Sequence, residues 1–365
     1  MTITKRIKIG VRKRIKKFYR NFDARLRQER ANSHARRLEQ SALTKDEKRK
    51  IKSFWGEWGG KYWSFAFYKS FCGTLNVQYV PDDYYDFAEH VLNLRWAAFF
   101  LQHKCTLKYI LPENNRPKAI VQKIDGHYVA EDNSEISEQE AIALLELRDV
   151  FIAKNALGPG GGKGVRRIVM SDNGKASLQE ILKWHDITFE EVVVQHPFMA
   201  QFNPDSVNTI RFVTLNINGQ CSVLSAFIRM GSVGSFVDNL SGGNGVLVGL
   251  NQEGCVNEFG IDKHFQKKSN APTGVPLKGL KVPDYNSLKS QIVSFHQRIP
   301  FANLIGWDVA IDTEGNPVVL EINLDSALVE AHQVFNGPIF GERLAEVMKY
   351  IEDRKPTLRH SYITY

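Results

Sequence analysis

The sequence predicts an α+β fold preceded by a helical N-terminal region, and three observations carry that prediction. Up to about residue 110, apolar residues recur at helical spacing. From about residue 117 the pattern changes to short apolar runs broken by Gly, Asn and Asp, which reads as strands. Near the C-terminal end, two more strands flank an Asp312–Asn316 turn and set a few polar residues among apolar neighbours. Composition agrees. The 365 residues are 43% hydrophobic and 24% charged, which excludes a largely disordered chain, a collagen-like repeat and a disulfide-dense miniprotein. At about 150 residues per domain, the length suits two or three domains.

The first element is a basic arm, residues 1–45. Ile7, Val11, Ile15, Phe18, Phe22 and Leu26 follow one another at spacings of 4, 4, 3, 4 and 4, one stripe of an amphipathic helix whose other positions are mostly Lys and Arg. The overall charge of +8 first suggests a nucleic acid or an anionic membrane. It divides unevenly: residues 1–50 hold 18 Lys/Arg and 5 Asp/Glu, net +13, and the remaining 315 hold 30 and 35, net −5. Such a helix suits an anionic membrane surface or packing on protein. Nucleic acid ranks last, because no module of interleaved aromatic and basic residues follows.

Residues 46–116 form the second region. Phe54–Phe71 is dense in aromatics, as a core or an interface is, and Pro81–Phe100 predicts one helix capped by Asp82 or Asp83. The four cysteines lie far apart without a CxxC pair and read as reduced thiols. No apolar run approaches the roughly 18 residues of a membrane span, and no signal peptide is visible. A cytoplasmic protein is expected, peripheral at the inner membrane face if the arm binds lipid.

The third region, 117–197, opens with a hairpin (Ala119–Lys123, His127–Val129) and a helix over Ile136–Leu147 with Ser137 and Glu140 as a capping box. A strand ending in Lys154 then enters a loop with glycines at 158, 160, 161, 162 and 164 and a second lysine, Lys163. Glycines let backbone N–H groups approach phosphate oxygens, and the lysines add countercharge. The spacing matches neither a Walker A loop nor a dinucleotide fingerprint; an ordinary flexible connection also looks like this. Glu191–Phe198 reads as a buried strand running into a proline turn. It suits an adenine edge read partly by Gln195, though a core strand ending in a polar residue reads the same way.

The fourth region, 198–350, holds the strongest signal. Asp308 lies on one strand, with Glu321 and Asn323 at i, i+2 on the next, all amid apolar residues. Oxygen ligands so arranged suit Mg²⁺ bound with a nucleotide. A solvent-facing hairpin is the competing reading, and it fits Asp312 and Glu314 better. Arg211 and Arg229 alternate with apolar residues on two strands and require an anion: a phosphate, a substrate carboxylate, or Asp238 as an ion-pair partner. Asp238, Asn239 and Ser241–Asn244 form an acceptor-site loop or a simple turn, and Ser326 is placed to touch substrate. His185, His196 and His332 read as structural or surface residues. Residues 351–365 complete the chain as a tail.

Taken in order, the lysine–glycine loop–lysine segment, the strand with Gln195 and the Asp-x12-Glu-x-Asn signature resemble the ATP-grasp superfamily over residues 117–350, the last most like D-alanine–D-alanine ligases. That resemblance implies two α+β lobes clasping ATP, a small lobe over 117–197 and a core lobe over 198–350. It also implies two Mg²⁺ ions, a glycine loop that closes as a lid, phosphate contacts from Lys154, Gly160, Gly161, Gly162 and Lys163, adenine contact from Gln195 and ribose contact from Asn208. Asp308 with Glu321 would hold one metal, and Glu321 with Asn323 the other. Asn208–Thr214, Phe227–Gly231, Val237–Gly243, Leu43–Lys48 and Lys118–Ile120 are also similar to ATP-grasp proteins associated with sugar transfer, a group related to glutamate-ligase-like enzymes and linked to cell-surface polysaccharide synthesis. The implied reaction is ATP-dependent joining of a small or sugar-linked carboxylate to an amine through an acylphosphate, with Arg211 and Arg229 in catalytic roles. The rivals are an ATP-grasp kinase, a non-catalytic nucleotide-binding partner of a glycosyltransferase complex, and a nucleic-acid-binding protein led by the arm. The expected partners are those substrates, an anionic membrane surface and a second copy of the chain, with no nucleic acid.

Overall fold

The computed structural model describes residues 43–56, 62–157, 164–236, 244–324 and 328–361. The amphipathic stripe of the arm lies outside them. Two units divide the chain, Met1–Pro81 and Asp82–Tyr365.

In the first unit, α1 (Lys45–Trp55) starts at a capping box. The Glu47 amide donates to the Thr44 hydroxyl at 3.2 Å and the Thr44 amide to the Glu47 carboxylate at 2.8 Å. Gly56 caps its end at φ 57°, a left-handed conformation that suits glycine. In α2 (Tyr62–Cys72), Phe65, Phe67 and Tyr68 are buried, and Tyr68 stacks on Tyr79 with ring centres 4.6 Å apart.

The second unit begins with a correction. Pro81–Phe100 forms two helices, α3 (Asp82–Leu92) and α4 (Arg95–Gln102), instead of one. Asn93 breaks them because its amide serves strands elsewhere. It donates to the carbonyls of Leu304 (2.7 Å) and Leu324 (2.9 Å) and accepts from the amides of Asn303 (3.1 Å) and Leu304 (3.0 Å). A 3₁₀ turn (Lys104–Thr106) and α5 (Leu107–Ile110) lead into the first sheet.

That sheet comprises β1 (Ala119–Ile124), β2 (His127–Ala130), β3 (Glu135–Ile136), β4 (Val150–Asn155), β5 (Val165–Val169) and β6 (Ile187–Glu190), in the order β3-β2-β1-β6-β4-β5 with antiparallel neighbours. The expected first hairpin forms, turning on Asp125 and Gly126 at φ 50° and 83°, the two positive values of a type I′ turn. Between strands lie α6 (Glu138–Glu146), started by the expected Ser137–Glu140 capping box, and α7 (Lys175–Ile181). One face of the sheet packs Val121, Phe151 and Phe189 against Leu145 and Ile181. The other face carries polar side chains.

A second correction concerns Glu191–Gln195. The strand ends at Glu190, Gln195 makes one isolated bridge to Asp312, and Val192 and Val194 are 36% and 67% exposed. Here the chain crosses between sheets, with the His196 amide donating to the Ile311 carbonyl at 2.8 Å. The apolar run therefore has no flanking strands to bury it. The short α8 (Pro197–Ala200) follows.

The second sheet contains β7 (Thr209–Ile217), β8 (Gln220–Met230), β9 (Val246–Leu250), β10 (Val256–Ile261), β11 (Lys267–Lys268), β12 (Leu304–Ile311) and β13 (Pro317–Asn323), in the order β11-β10-β9-β8-β7-β12-β13. Between β11 and β12 runs α9 (Tyr285–Gln297); α10 (Val329–Asn336) and α11 (Leu344–Ser361) follow β13. Strand alternation sorts the side chains. Phe212, Ile228, Trp307 and Val309 join Leu288 and Ile292 of α9 in the core on one face. Arg211, Arg229, Asp308, Glu321 and Asn323 take the opposite face, part of which α10 covers. That helix approaches closely because residue 249 is glycine: a Cβ there would lie 2.4 Å from the Phe335 Cβ. No helix among the described residues is long and apolar enough to cross a membrane.

Candidate active site

Asp308 stands at the centre of the polar face of the second sheet. The register sets Arg211 beside it on β7 and Glu321 on β13. Arg211 donates through Nε to Oδ1 and through Nη2 to Oδ2 (2.9 Å), and Arg229 donates through Nη1 to Oδ2 at 2.7 Å. All three are well buried, with side chains 5% (Arg211), 14% (Arg229) and 7% (Asp308) exposed. Burial raises the Asp308 carboxyl, but the charges and hydrogen bonds of the two guanidinium groups outweigh it and hold the carboxyl well below the usual carboxylate range. Among the described residues, Asp308 is an anion that the two arginines share.

Glu321 and Asn323 lie beside this triad on β13. Glu321 accepts from Lys104 Nζ at 3.0 Å through one oxygen. The Asn323 Nδ2 is buried without a hydrogen-bond partner among the described residues. An orphaned amide beside a carboxylate suits a hard cation, since turning the amide over presents an oxygen to the same space. Glu321 and Asn323 therefore fit Mg²⁺, whereas both oxygens of Asp308 are already bound by arginine. Among the described residues, no group of three or more His, Cys, Asp or Glu is arranged to hold a metal ion.

The first sheet supplies the facing residues. Gln122, Thr188 and Lys154 occupy one cross-strand row on its polar face. Lys154 Nζ lies 2.6 Å from Glu190 Oε2, and Glu190 is nearly fully buried. Lys104 links the two sheets. Its amide donates to the Ala156 carbonyl at 3.1 Å, at the root of the glycine loop, and its Nζ holds Glu321. Asn155 closes that root by donating to the Gly164 carbonyl at 2.8 Å. Gly160, Gly161, Gly162 and Lys163 lie outside the described residues, as do Asp238, Asn239 and Ser326.

Gln195 and Asn208 come together, but toward each other. Gln195 Oε1 accepts from the Asn208 amide (2.9 Å) and Nδ2 (3.0 Å), while its Nε2 donates to the carbonyls of Asn203 (3.1 Å) and Ser206 (2.7 Å). Asn208 is completely buried. Both amides thus brace the 203–208 loop. The backbone of 192–195 and the exposed Val192 and Val194 form the open surface at this point. Burial pushes the Cys105 thiol, 3.6 Å from the Ile187 carbonyl, up to about 12, so it is protonated and inert at neutral pH. His332 is buried, its Nδ1 2.8 Å from the Ser225 hydroxyl, and His196 Nδ1 accepts from the Phe198 amide at 3.0 Å to cap α8.

Two residues escaped the sequence reading, Lys104 and Glu190. Lys104 sits in a segment without strand or glycine signals, and Glu190 lies one residue before the Glu191–Phe198 run that reads as a buried strand.

The profile of a family described as sugar-transfer associated ATP-grasp matches residues 117–349. Among solved structures, the chain is similar to the ATP-grasp ligase PsnB complexed with minimal precursor, at 14% identity and TM-score 0.41, over 71% of this chain and 64% of that one. It is similar to the D-alanine-D-alanine ligase from Coxiella burnetii at 10% identity and TM-score 0.38, over 72% and 61%. It is similar to D-alanyl-alanine synthetase A from Vibrio cholerae at 13% identity and TM-score 0.42, over 69% and 65%. The chain thus spans less than two thirds of the length of each. No curated protein matches it by sequence.

Proposed function

The chain belongs to the sugar-transfer associated ATP-grasp family, and from that membership we propose that it is an ATP-dependent carboxylate–amine ligase acting on a precursor of a surface polysaccharide. The observation that carries this reading is the buried Arg211–Asp308–Arg229 triad with Glu321 and Asn323 on the same sheet face. A buried paired-arginine site flanked by cation ligands suits phosphoryl transfer between anions, where positioning and charge neutralisation supply most of the catalysis. No nucleophilic side chain is required.

In this scheme Lys154 and Lys104 neutralise the ATP phosphates, a role assigned also to Lys163 and the glycine loop. The 192–195 backbone and the Val192 and Val194 side chains receive the purine. Arg211 and Arg229 orient the substrate carboxylate and balance the charge that builds as the phosphoryl group transfers to it. Asp308 fixes both guanidinium groups. Glu321 and Asn323 would hold Mg²⁺, which when bound neutralises phosphate charge; Asp308 would join them only by releasing an arginine contact. Transfer of the γ-phosphoryl group to the carboxylate gives an acylphosphate and ADP; the amine then attacks the acyl carbon, phosphate leaves, and the amide forms as the amine loses a proton. Asp238, Asn239 and Ser326 are assigned to the substrate, and the basic arm to an anionic membrane surface.

The test is product analysis. With Mg·ATP, a uronic acid and an amino acid, ADP and phosphate should appear together with the amide, and Glu321→Ala should lower turnover at least 100-fold. Release of AMP and pyrophosphate would refute the scheme, and a stable phosphorylated sugar without amide would identify a kinase. Mass spectrometry of the surface polymer with and without this protein should show the loss of an amide-linked substituent.

A further inference from the structure

Arg167 stands on β5, the edge strand of the first sheet that follows the glycine loop. The register fixes its face. Across β4 and β5, Lys154 pairs with Val165 and Ile152 with Arg167; across β4 and β6, Lys154 pairs with Thr188 and Ile152 with Glu190. Paired residues of an antiparallel sheet project to the same face. Arg167, Ile152 and Glu190 therefore form one row of the polar face, and Val165, Lys154 and Thr188 form the next. Arg166 takes the opposite, core face with Ala153, as Ile168 does with Phe151. Charge on an edge strand deters pairing between sheets. That role needs no particular face, so it does not account for what surrounds Arg167.

The polar face is closed on one side and open on the other. Over β1 and β6, Gln122, Thr188 and Glu190 are nearly fully buried, and Gln122 Nε2 donates to the Cys105 carbonyl of the Lys104–Thr106 turn at 3.4 Å. Over β4 and β5, Ile152 and Val165 are half-buried and Arg167 is exposed. Lys154 is held by Glu190, whereas the Arg167 side chain has no partner among the described residues. The rows also differ in place. β6 ends at Glu190 and runs on into 192–195, so the Arg167 row is the nearer to that linker. The Lys154 row lies two residues further along the strands, roughly 7 Å. The inference rests on the ligase reading, in which the linker receives the purine and Lys154 the phosphates. A nucleotide spanning those two points lays its base over Ile152 and Val165, beside Arg167. We propose that Arg167 recognises the base: its guanidinium donates to a ring nitrogen of the purine, at the edge that the linker backbone leaves free. A fork of donors without an acceptor suits ring nitrogens that only accept.

The test is the affinity of the full chain for Mg·AMPPNP, measured by calorimetric titration at low salt and at 0.5 M salt. Arg167→Ala should weaken binding about fivefold, as the loss of one hydrogen bond from a charged donor does. The loss should persist at 0.5 M salt, because a contact with a neutral ring nitrogen is not screened as charge pairing is. The thermal midpoint of this variant should match wild type, since an exposed, unpartnered side chain carries none of the fold. Arg166→Ala removes the same charge from the other face and should change affinity less than twofold. Unchanged affinity in Arg167→Ala, a loss accompanied by a lowered midpoint, or equal weakening by Arg166→Ala would overturn the inference. So would a loss confined to low salt, which would make Arg167 a countercharge for the phosphates. Failure of AMPPNP to bind the unaltered chain would sink the nucleotide reading and this inference with it, whereas binding that Arg167→Ala leaves intact sinks this inference alone.

Discussion

Asp308 and Glu321 both read as metal ligands in the sequence, but their surroundings differ. Asp308 bonds two buried guanidinium groups, and removing one partner of a buried ion pair costs about 3–5 kcal/mol. Glu321 is one-third exposed and bonds a single lysine, a pair worth under about 1 kcal/mol. Asp308→Ala should therefore lower urea-unfolding stability by about 3 kcal/mol or more, while Glu321→Ala should stay within about 1 kcal/mol of wild type. Both should abolish ADP release. Equal stability loss in the two variants would show that Asp308 does not anchor the arginines. Because the folded carboxyl is held low, its stabilisation is present above the ordinary carboxylate range and disappears only as pH falls through the depressed value. Lys104 makes a second case. Lys104→Met should raise the KM for ATP several-fold in a coupled ADP assay, and an unchanged KM would leave it a structural link only. Asp308, Glu321 and Asn323 were legible because polar residues on apolar strands stand out. Their pairings were not, since Lys104 lies 217 residues from Glu321 and only the fold joins them.

Local patterning set most elements correctly, because capping boxes and the Asp-Gly turn act through neighbours in the chain. Where long-range bonds decide, the reading failed. Asn93 leaves a helical pattern to serve two strands, and Glu191–Gln195 lacks flanking strands. One such long-range contact has a pH signature. His296 of α9 is buried, with Nε2 donating to the Ala302 carbonyl at 2.9 Å and Nδ1 2.6 Å from the Thr214 hydroxyl, which accepts from Trp307 Nε1 at 2.8 Å. Burial pushes its pKa down from 6.5 to about 4, although the Ala302 carbonyl raises it. The unfolded chain therefore takes up a proton first as pH falls, and stability is lost between about pH 6.5 and 4. From pH 7 to 5 the loss attributable to this residue should be about 2 kcal/mol in urea unfolding, and His296→Gln should flatten that slope. An unchanged slope in the variant would assign the dependence to other groups. In the same sheet, Gly249→Ala would place a Cβ against Phe335 and should destabilise by about 1–3 kcal/mol, read as a lower thermal midpoint.

At the scale of the whole molecule, the ATP-grasp region and the basic arm divide the charge. The region that carries the site is mildly acidic, so the net +8 does not describe it. Of the 48 Lys/Arg, 18 fall in the first 50 residues, around an apolar stripe at helical spacing. A basic patch alone would bind an anionic surface through charge, about 1 kcal/mol for each nearby Lys or Arg, and would be released by salt. A stripe of Ile, Val, Phe and Leu adds apolar burial that salt does not remove. The two contributions separate experimentally. On phosphatidylglycerol vesicles, the full chain should sediment with lipid at low salt and in part at 0.5 M salt. Phe18→Ser/Phe22→Ser should bind only at low salt, and deletion of residues 1–40 should not bind at all while keeping the ADP-releasing activity. Binding that survives the deletion would place the membrane contact elsewhere. Loss of activity with the deletion would instead make the arm part of the folded enzyme, packed on protein as an apolar stripe also permits.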